Sequence, residues 1–216
     1  MATELLKPPN YYTSHRYEMA KLIPGNVTKV LEIGCGDSNF ANFLPVCEYW
    51  GIEPSRHVSI LSSSNVYKII RNDYETAYVD LPNNYFDLIV VNDVIEHMQS
   101  HDYFFSSIKI KMSSGACILG SVPNVRHISN MIEILIHKDW EYKDSGILDR
   151  THLRFFTQNS LKKILLDHGY IIEILKPINQ VLCKRKSYKS FIEQLLCMLL
   201  GRDTQFNQIA FRVRKL

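Results

Sequence analysis

Apolar residues fall along the chain in short runs rich in Val, Ile, Leu and aromatics, and the stretches between them space their apolar positions three and four apart. Strand-length runs alternating with amphipathic helical stretches are the pattern of a parallel α/β sheet, because parallel neighbours need a crossover connection. Seven strands are predicted: Thr28–Gly34, Glu48–Glu53, Val66–Arg71, Phe86–Val91, Ala116–Val122, Tyr170–Leu175 and Gln208–Arg214. The fourth is apolar enough to be covered on both faces, and the fifth stops at Pro123. A helix is expected from Thr157, a good N-cap, to the closing Gly169, and a leading helix over Tyr11–Leu22 ends before Pro24. The expected fold class is α/β, a doubly wound, mostly parallel seven-stranded sheet in a single domain over residues 1–216. Two stretches break the alternation. One is a cap-like insertion over about 125–156, and the other a basic helical insertion over about 179–206 with an amphipathic segment at Ser190–Leu200.

Composition adds little to that class but narrows the setting. Apolar residues are 46% and charged residues 22%, as in an ordinary globular domain. The N-terminal residues lack the basic-then-apolar pattern of a signal peptide, and no apolar run is long enough to cross a bilayer. Cys35, Cys47, Cys117, Cys183 and Cys197 are scattered, odd in number and without a Cys-x-x-Cys pair, which points to a reducing cytoplasm. The net charge is only +3, yet from Lys176 onward nine Lys and Arg face two acidic residues. This tail suits a solvated face. It also suits weak attraction to an acidic partner, such as a phosphorylated substrate or a membrane surface, with Lys184–Lys186 and the helix after it as the contact.

The chemistry concentrates after the first strand. Val30-Leu-Glu-Ile-Gly-Cys-Gly36 ends a strand on an acid and turns on Gly34 and Gly36, where the backbone can bend sharply and approach a ligand. Glu53 follows 19 residues beyond Gly34, at the end of the next strand, where a carboxylate can accept both hydroxyl protons of a ribose. A nicotinamide site would want a glycine or alanine where Asn39 stands, and a pyrophosphate is poorly served beside Glu32 and Asp37. A sulfonium nucleoside, which has no phosphate and carries an ammonium group, suits these acids better.

These residues resemble the first motif of class I S-adenosylmethionine-dependent methyltransferases, with Ser38 where many members have a third glycine. The resemblance spans roughly residues 10–178 and implies the Rossmann-like methyltransferase fold. It implies further that Glu53 binds the ribose and that Asp73, in Asn72-Asp-Tyr-Glu75, receives the adenine amino group beside the backbone of Tyr74. Tyr85-Phe-Asp-Leu-Ile-Val-Val-Asn-Asp-Val-Ile-Glu-His97 is similar to the fourth-strand motif, which places Asn92 by the methionine part of the cofactor. Arg16 or Tyr12 would meet its carboxylate. Cys35, in the turn, and Pro54, after Glu53, complete the expected contacts. A narrower likeness joins Trp140–Thr157 and Ser121–His127 to methyltransferases of glycan, capsule and lipopolysaccharide assembly, which implies a sugar, sugar nucleotide or surface-polysaccharide precursor as acceptor.

An acceptor hydroxyl benefits from a base, and His97, His127 and His152 are candidates. His152 ranks first, because Asp149 and Arg154 lie close to it in sequence, and His97 second. Asp93, Glu96 and His97 put three donors within five residues, too few to assign a metal. Cys35 is read as a packing residue rather than a nucleophile. Nucleic acid is not expected as partner, since no Pro-Pro-aromatic sequence follows the fourth strand and the sequence pI is about 8.5. A homodimer is kept open. So are a phosphate-type or phenolic acceptor, an inactive cofactor-binding subunit suggested by Ser38 and by the unassigned tail, and a nicotinamide oxidoreductase.

Overall fold

The computed structural model describes residues 16–58, 66–181 and 188–215, with the side chains of 188–193 left out. Seven strands lie in one mixed, mostly parallel sheet: β1 Lys29–Ile33, β2 Glu48–Ile52, β3 Val66–Ile70, β4 Phe86–Asn92, β5 Met112–Pro123, β6 Tyr170–Gln180 and β7 Phe206–Lys215, in the order β3-β2-β1-β4-β5-β7-β6. β1 runs parallel to both β2 and β4, β2 runs parallel to β3, and β6 pairs antiparallel with β7. The helices are α1 Tyr17–Ala20, α2 Tyr74–Ala77, α3 His101–Lys111, α4 Ile128–Ile132, α5 Gln158–Asp167 and α6 Tyr188–Leu200. The α/β class and the seven strands agree with the sequence reading. Of the leading helix, residues 11–15 lie outside the description, and only Tyr17–Ala20 is α-helical in the rest.

Two strands run longer than their apolar patterns. β5 starts at Met112, four residues before Ala116, because Ser113-Ser-Gly115 is polar or small although already hydrogen-bonded in the sheet. β6 continues through Pro177 to Gln180. It is the last strand in the sheet order, and an edge strand tolerates a residue without an N–H.

The chain forms two compact units. The first comprises the described residues up to Val91 together with 107–119. Its central strands are buried on both faces, as Val30, Leu31, Leu88, Ile89 and Val90 show. Asp87 ties the start of β1 to β4 by accepting from the amide and hydroxyl of Thr28, at 2.9 and 2.7 Å. Gly51 of β2 is fixed by space. A Cβ there would lie 2.6 Å from the Cys35 sulfur and 2.7 Å from Cδ1 of Ile69. Gly51→Ala is therefore expected to cost about 1–3 kcal/mol of stability, as an overpacked core does, read from the urea midpoint; an unchanged midpoint would show that the neighbours yield freely.

The second unit comprises 92–106 and the residues from 120 onward. α5 keeps its predicted start, a capping box between Thr157 and Ser160, and is followed by Gly169 at φ 68°. The cap-like insertion contains α4 and a π-helical turn over Glu133–His137. In the basic insertion, Lys184–Lys186 lie outside the description, and α6 covers the predicted amphipathic segment. No helix among the described residues is long and apolar enough to cross a membrane.

Candidate active site

The glycine turn belongs to the first unit. The amides of Gly34 and Cys35 both donate to the Ile52 carbonyl, at 2.8 and 3.0 Å, and pin the turn to the end of β2. Gly34 and Gly36 have φ of 69° and 52°, the left-handed region that favours glycine. Ser38 follows at φ 64°, so the chain keeps the left-handed backbone where the third glycine is missing, at a cost of about 1 kcal/mol. The Glu53 carboxylate sits against this turn, accepting from the Gly36 amide through Oε2 and the Ser55 amide through Oε1, both at 2.9 Å. A carboxylate offers about four lone-pair sites, so Glu53 keeps capacity for two further donors, as a ribose diol requires. No sequence signal revealed this clamp, because it joins residues on two strands.

Glu32, at the end of β1, is buried and accepts from the Tyr49 hydroxyl. Burial pushes its carboxyl up to about 8, against the Tyr49 hydrogen bond and the charge of Arg16, with Asp37 and Glu53 adding repulsion. Arg16 thus lies within electrostatic reach of the turn, while Tyr12 lies outside the description. The Cys35 thiol points inward toward Gly51, and burial first, then Glu32, pushes it up to about 12. It is an inert packing group, and only the backbone of Cys35 remains to line a ligand. Pro54 is exposed. Asp73 caps α2 by accepting from the Thr76 amide at 2.8 Å through Oδ1, leaving Oδ2 to another donor. The Tyr74 ring is buried with its hydroxyl on Ser107 at 2.8 Å, so it too offers a ligand only its backbone.

The second unit begins at Asn92, whose side-chain amide is shielded from solvent and makes no hydrogen bond among the described residues, through nitrogen or oxygen. A buried amide unsatisfied at both ends is costly, so Asn92 could hold a bound group. Asp93 then turns at φ 52°, and its carboxylate accepts from the Ser121 hydroxyl at 2.8 Å and from the Gln208 amide. It is committed to positioning and does not join Glu96 and His97.

Glu96 and His97 stand on a 3-10 turn, Ile95–His97. The Glu96 carbonyl accepts the amides of Leu153 and Arg154 at 2.8 and 3.1 Å, which brings the end of the cap-like insertion alongside. His97 and His152 meet edge to face, with ring centroids 4.7 Å apart. Their surroundings set their tautomers. The His152 Nδ1 lies 2.9 Å from the Ile147 carbonyl, which can only accept, so Nδ1 carries the proton. The His97 Nδ1 lies 3.2 Å from both the carbonyl and the hydroxyl of Thr151. That hydroxyl spends its proton on Asp149, at 2.7 Å. Both neighbours of Nδ1 are thus acceptors, and Nδ1 is again the protonated nitrogen. Each ring is thus anchored through Nδ1 on neighbouring oxygen acceptors.

Asp149 thus reaches His97 through the hydroxyl of Thr151, which the sequence reading passed over, while its carbonyl accepts the His152 amide at 2.9 Å. Arg154 turns away to the carbonyls of Leu153 and Gln99. His127, the third candidate base, caps α4 by accepting from the Ser129 amide through Nδ1. Arg126 is held by Asp203 at 2.6 Å and by the Leu200 carbonyl at 2.5 Å.

The profile of the methyltransferase domain family matches residues 10–173. The chain belongs to that family. Among solved structures, a methyltransferase dependent on S-adenosylmethionine from Archaeoglobus fulgidus aligns over 95% of this chain and 97% of its own, at 18% identity and a TM-score of 0.67. Another from Mesorhizobium loti aligns over 96% and 98%, at 12% identity and 0.61. A Haloferax volcanii methyltransferase in complex with the activator Trm112 aligns over 95% and 89%, at 10% identity and 0.63. No match was found among curated proteins. The family and the shared fold make the methyltransferase dependent on S-adenosylmethionine, and they displace the nicotinamide reading. The residues of the first unit fit that cofactor: a glycine turn and a cradle with spare acceptor capacity at Glu53.

Proposed function

We propose that this methyltransferase methylates a hydroxyl oxygen of a small acceptor, a sugar, sugar nucleotide or surface-polysaccharide precursor. The reading rests on His97 and His152, two adjacent rings each anchored through Nδ1. S-adenosylmethionine supplies, when bound, a methyl carbon activated by its sulfonium. The protein then has to hold the acceptor oxygen in line and away from water and to take its proton, at Nε2 of His152 or His97. Support for a saccharide comes from the likeness of Trp140–Thr157 and Ser121–His127 to glycan methyltransferases. It also comes from the aromatic group beside His152: Phe155 lies 5.0 Å from Trp140, 6.3 Å from Tyr142 and 6.3 Å from His152 by ring centroids, and such faces suit the apolar face of a sugar. Incubation of the purified chain with labelled cofactor and separate panels of sugar nucleotides, phosphorylated small molecules and phenols tests this. Label confined to the phenols or to phosphate oxygens would overturn the saccharide reading.

On the same proposal, Glu53 takes the ribose hydroxyls, Asp73 and the Tyr74 amide the adenine, Gly34 to Gly36 and Pro54 the walls, and Asn92 with Glu32 and Arg16 the amino-acid part. We read the chain as one domain. Ser38 keeps its left-handed backbone, so that position by itself gives no ground for an inactive subunit. We assign the protein to the cytoplasm from its scattered cysteines, and the +7 tail to weak contact with an acidic partner.

Glu32 gives the proposal a pH signature. Its raised carboxyl is protonated at neutral pH, and an ammonium group beside it would ionise it, so binding releases a proton. Affinity should then rise with pH by up to about tenfold per unit toward pH 8, and Glu32→Gln should flatten the slope. Without ligand the sign reverses for stability: the contribution of this buried acid is full below 4.5 and is lost as pH rises through about 8. Calorimetry in buffers of different ionisation enthalpy counts the released proton; an equal slope in Glu32→Gln would remove Glu32 from the site.

A further inference from the structure

We propose that Glu96, His97 and His152 form a binding site for one divalent transition-metal ion. One donor atom from each of the three lies within 4.8 Å of the others, and Glu96 and His152 are buried. Both rings are oriented for the task. Nδ1 of His152 is fixed on the Ile147 carbonyl, and Nδ1 of His97 on the carbonyl and hydroxyl of Thr151. A backbone or side-chain acceptor on one ring nitrogen, leaving the other as a directed lone pair, is how proteins hold imidazole ligands of metals. The donor set favours Mn²⁺, Fe²⁺, Co²⁺ or Zn²⁺ over the all-oxygen preference of Ca²⁺.

The grouping is not the one adjacent in sequence. Asp93 is engaged by Ser121 and Gln208, and its place is taken by His152, which the Glu96 carbonyl brings in through Leu153 and Arg154. Three protein ligands leave coordination positions open. Resting on the methyl-transfer reading, neighbouring hydroxyl oxygens of the acceptor would fill them, and a metal-bound hydroxyl loses its proton more readily. Nε2 of His97 and His152 would then be metal donors, with the acceptor proton passing to solvent.

The metal claim is tested without cofactor or acceptor. The full chain, free of a polyhistidine tag and stripped with chelator, is titrated with Mn²⁺ alone, by electron paramagnetic resonance and calorimetry. One bound ion is expected. Glu96→Gln and His152→Gln should weaken it by about 10–100-fold, whereas Asp93→Asn should leave it unchanged, with melting curves confirming that each variant folds. No binding by the parent chain overturns the site, as does equal affinity in the Glu96 and His152 variants. Full turnover by chelator-stripped enzyme overturns the role toward the acceptor. Absence of methyl transfer to any acceptor, with Mn²⁺ still bound and lost in His152→Gln, refutes the functional reading and upholds the metal site.

Discussion

Glu53→Ala is expected to weaken binding of the spent cofactor, S-adenosylhomocysteine, by more than about a hundredfold. Two losses combine. The ribose hydroxyls lose a charged acceptor, each such hydrogen bond contributing about 1.5–3 kcal/mol, and every 1.4 kcal/mol is about a tenfold change in affinity. The amides of Gly36 and Ser55 also lose the acceptor that holds the turn in its ligand-ready shape. Glu53→Gln separates the two losses. It keeps the size of the side chain and one carbonyl oxygen but replaces the other acceptor by a donor, so its affinity should fall between parent and alanine variant. Isothermal titration at neutral pH measures all three, and melting temperatures show whether the fold survives. Binding by the alanine variant at the parent affinity would end the assignment of Glu53.

Substituting His152 should act on rate instead. His152→Ala is expected to lower turnover by about 10²–10⁴-fold, the range for losing a positioned proton acceptor, while cofactor affinity changes by less than about threefold. The asymmetry follows from role: a proton acceptor works on the acceptor hydroxyl, whereas Glu53 is assigned to the ribose of the cofactor. The pH profile tells which work the nitrogen does. A proton acceptor gives a rate that rises through the imidazole range, and a metal donor gives a rate that Mn²⁺ shifts along the pH axis. Equal turnover by His152→Ala and parent would remove this histidine from the chemistry.

Much of this molecule was legible because parallel strands write themselves plainly. Phe86-Asp-Leu-Ile-Val-Val91 is apolar on both faces, and β4 has both faces covered. Gly34, Gly36 and Glu53 were visible because their roles depend on position relative to a strand end. What stayed hidden were contacts through space. Thr151 lies 54 residues from His97, and nothing local announces that its hydroxyl serves both that ring and Asp149. Asp93, Glu96 and His97 are neighbours in sequence and were too few to assign a metal, and a left-handed turn at Asp93 goes with a carboxylate held by Ser121. His127 shares the chemistry of His152 and differs only in the helix start it happens to precede.

The pairing of β6 with β7 also bears on how the polypeptide is made. β6 is finished at Gln180, but its antiparallel partner begins only at Phe206. At about 5–20 residues per second of synthesis, the emerging β6 waits on the order of seconds with its amides and carbonyls open to any passing strand. Cells that slow translation across Asn179–Gln205 lengthen that exposure, and over-production should drive the nascent protein into inclusion bodies more readily than its finished stability would suggest.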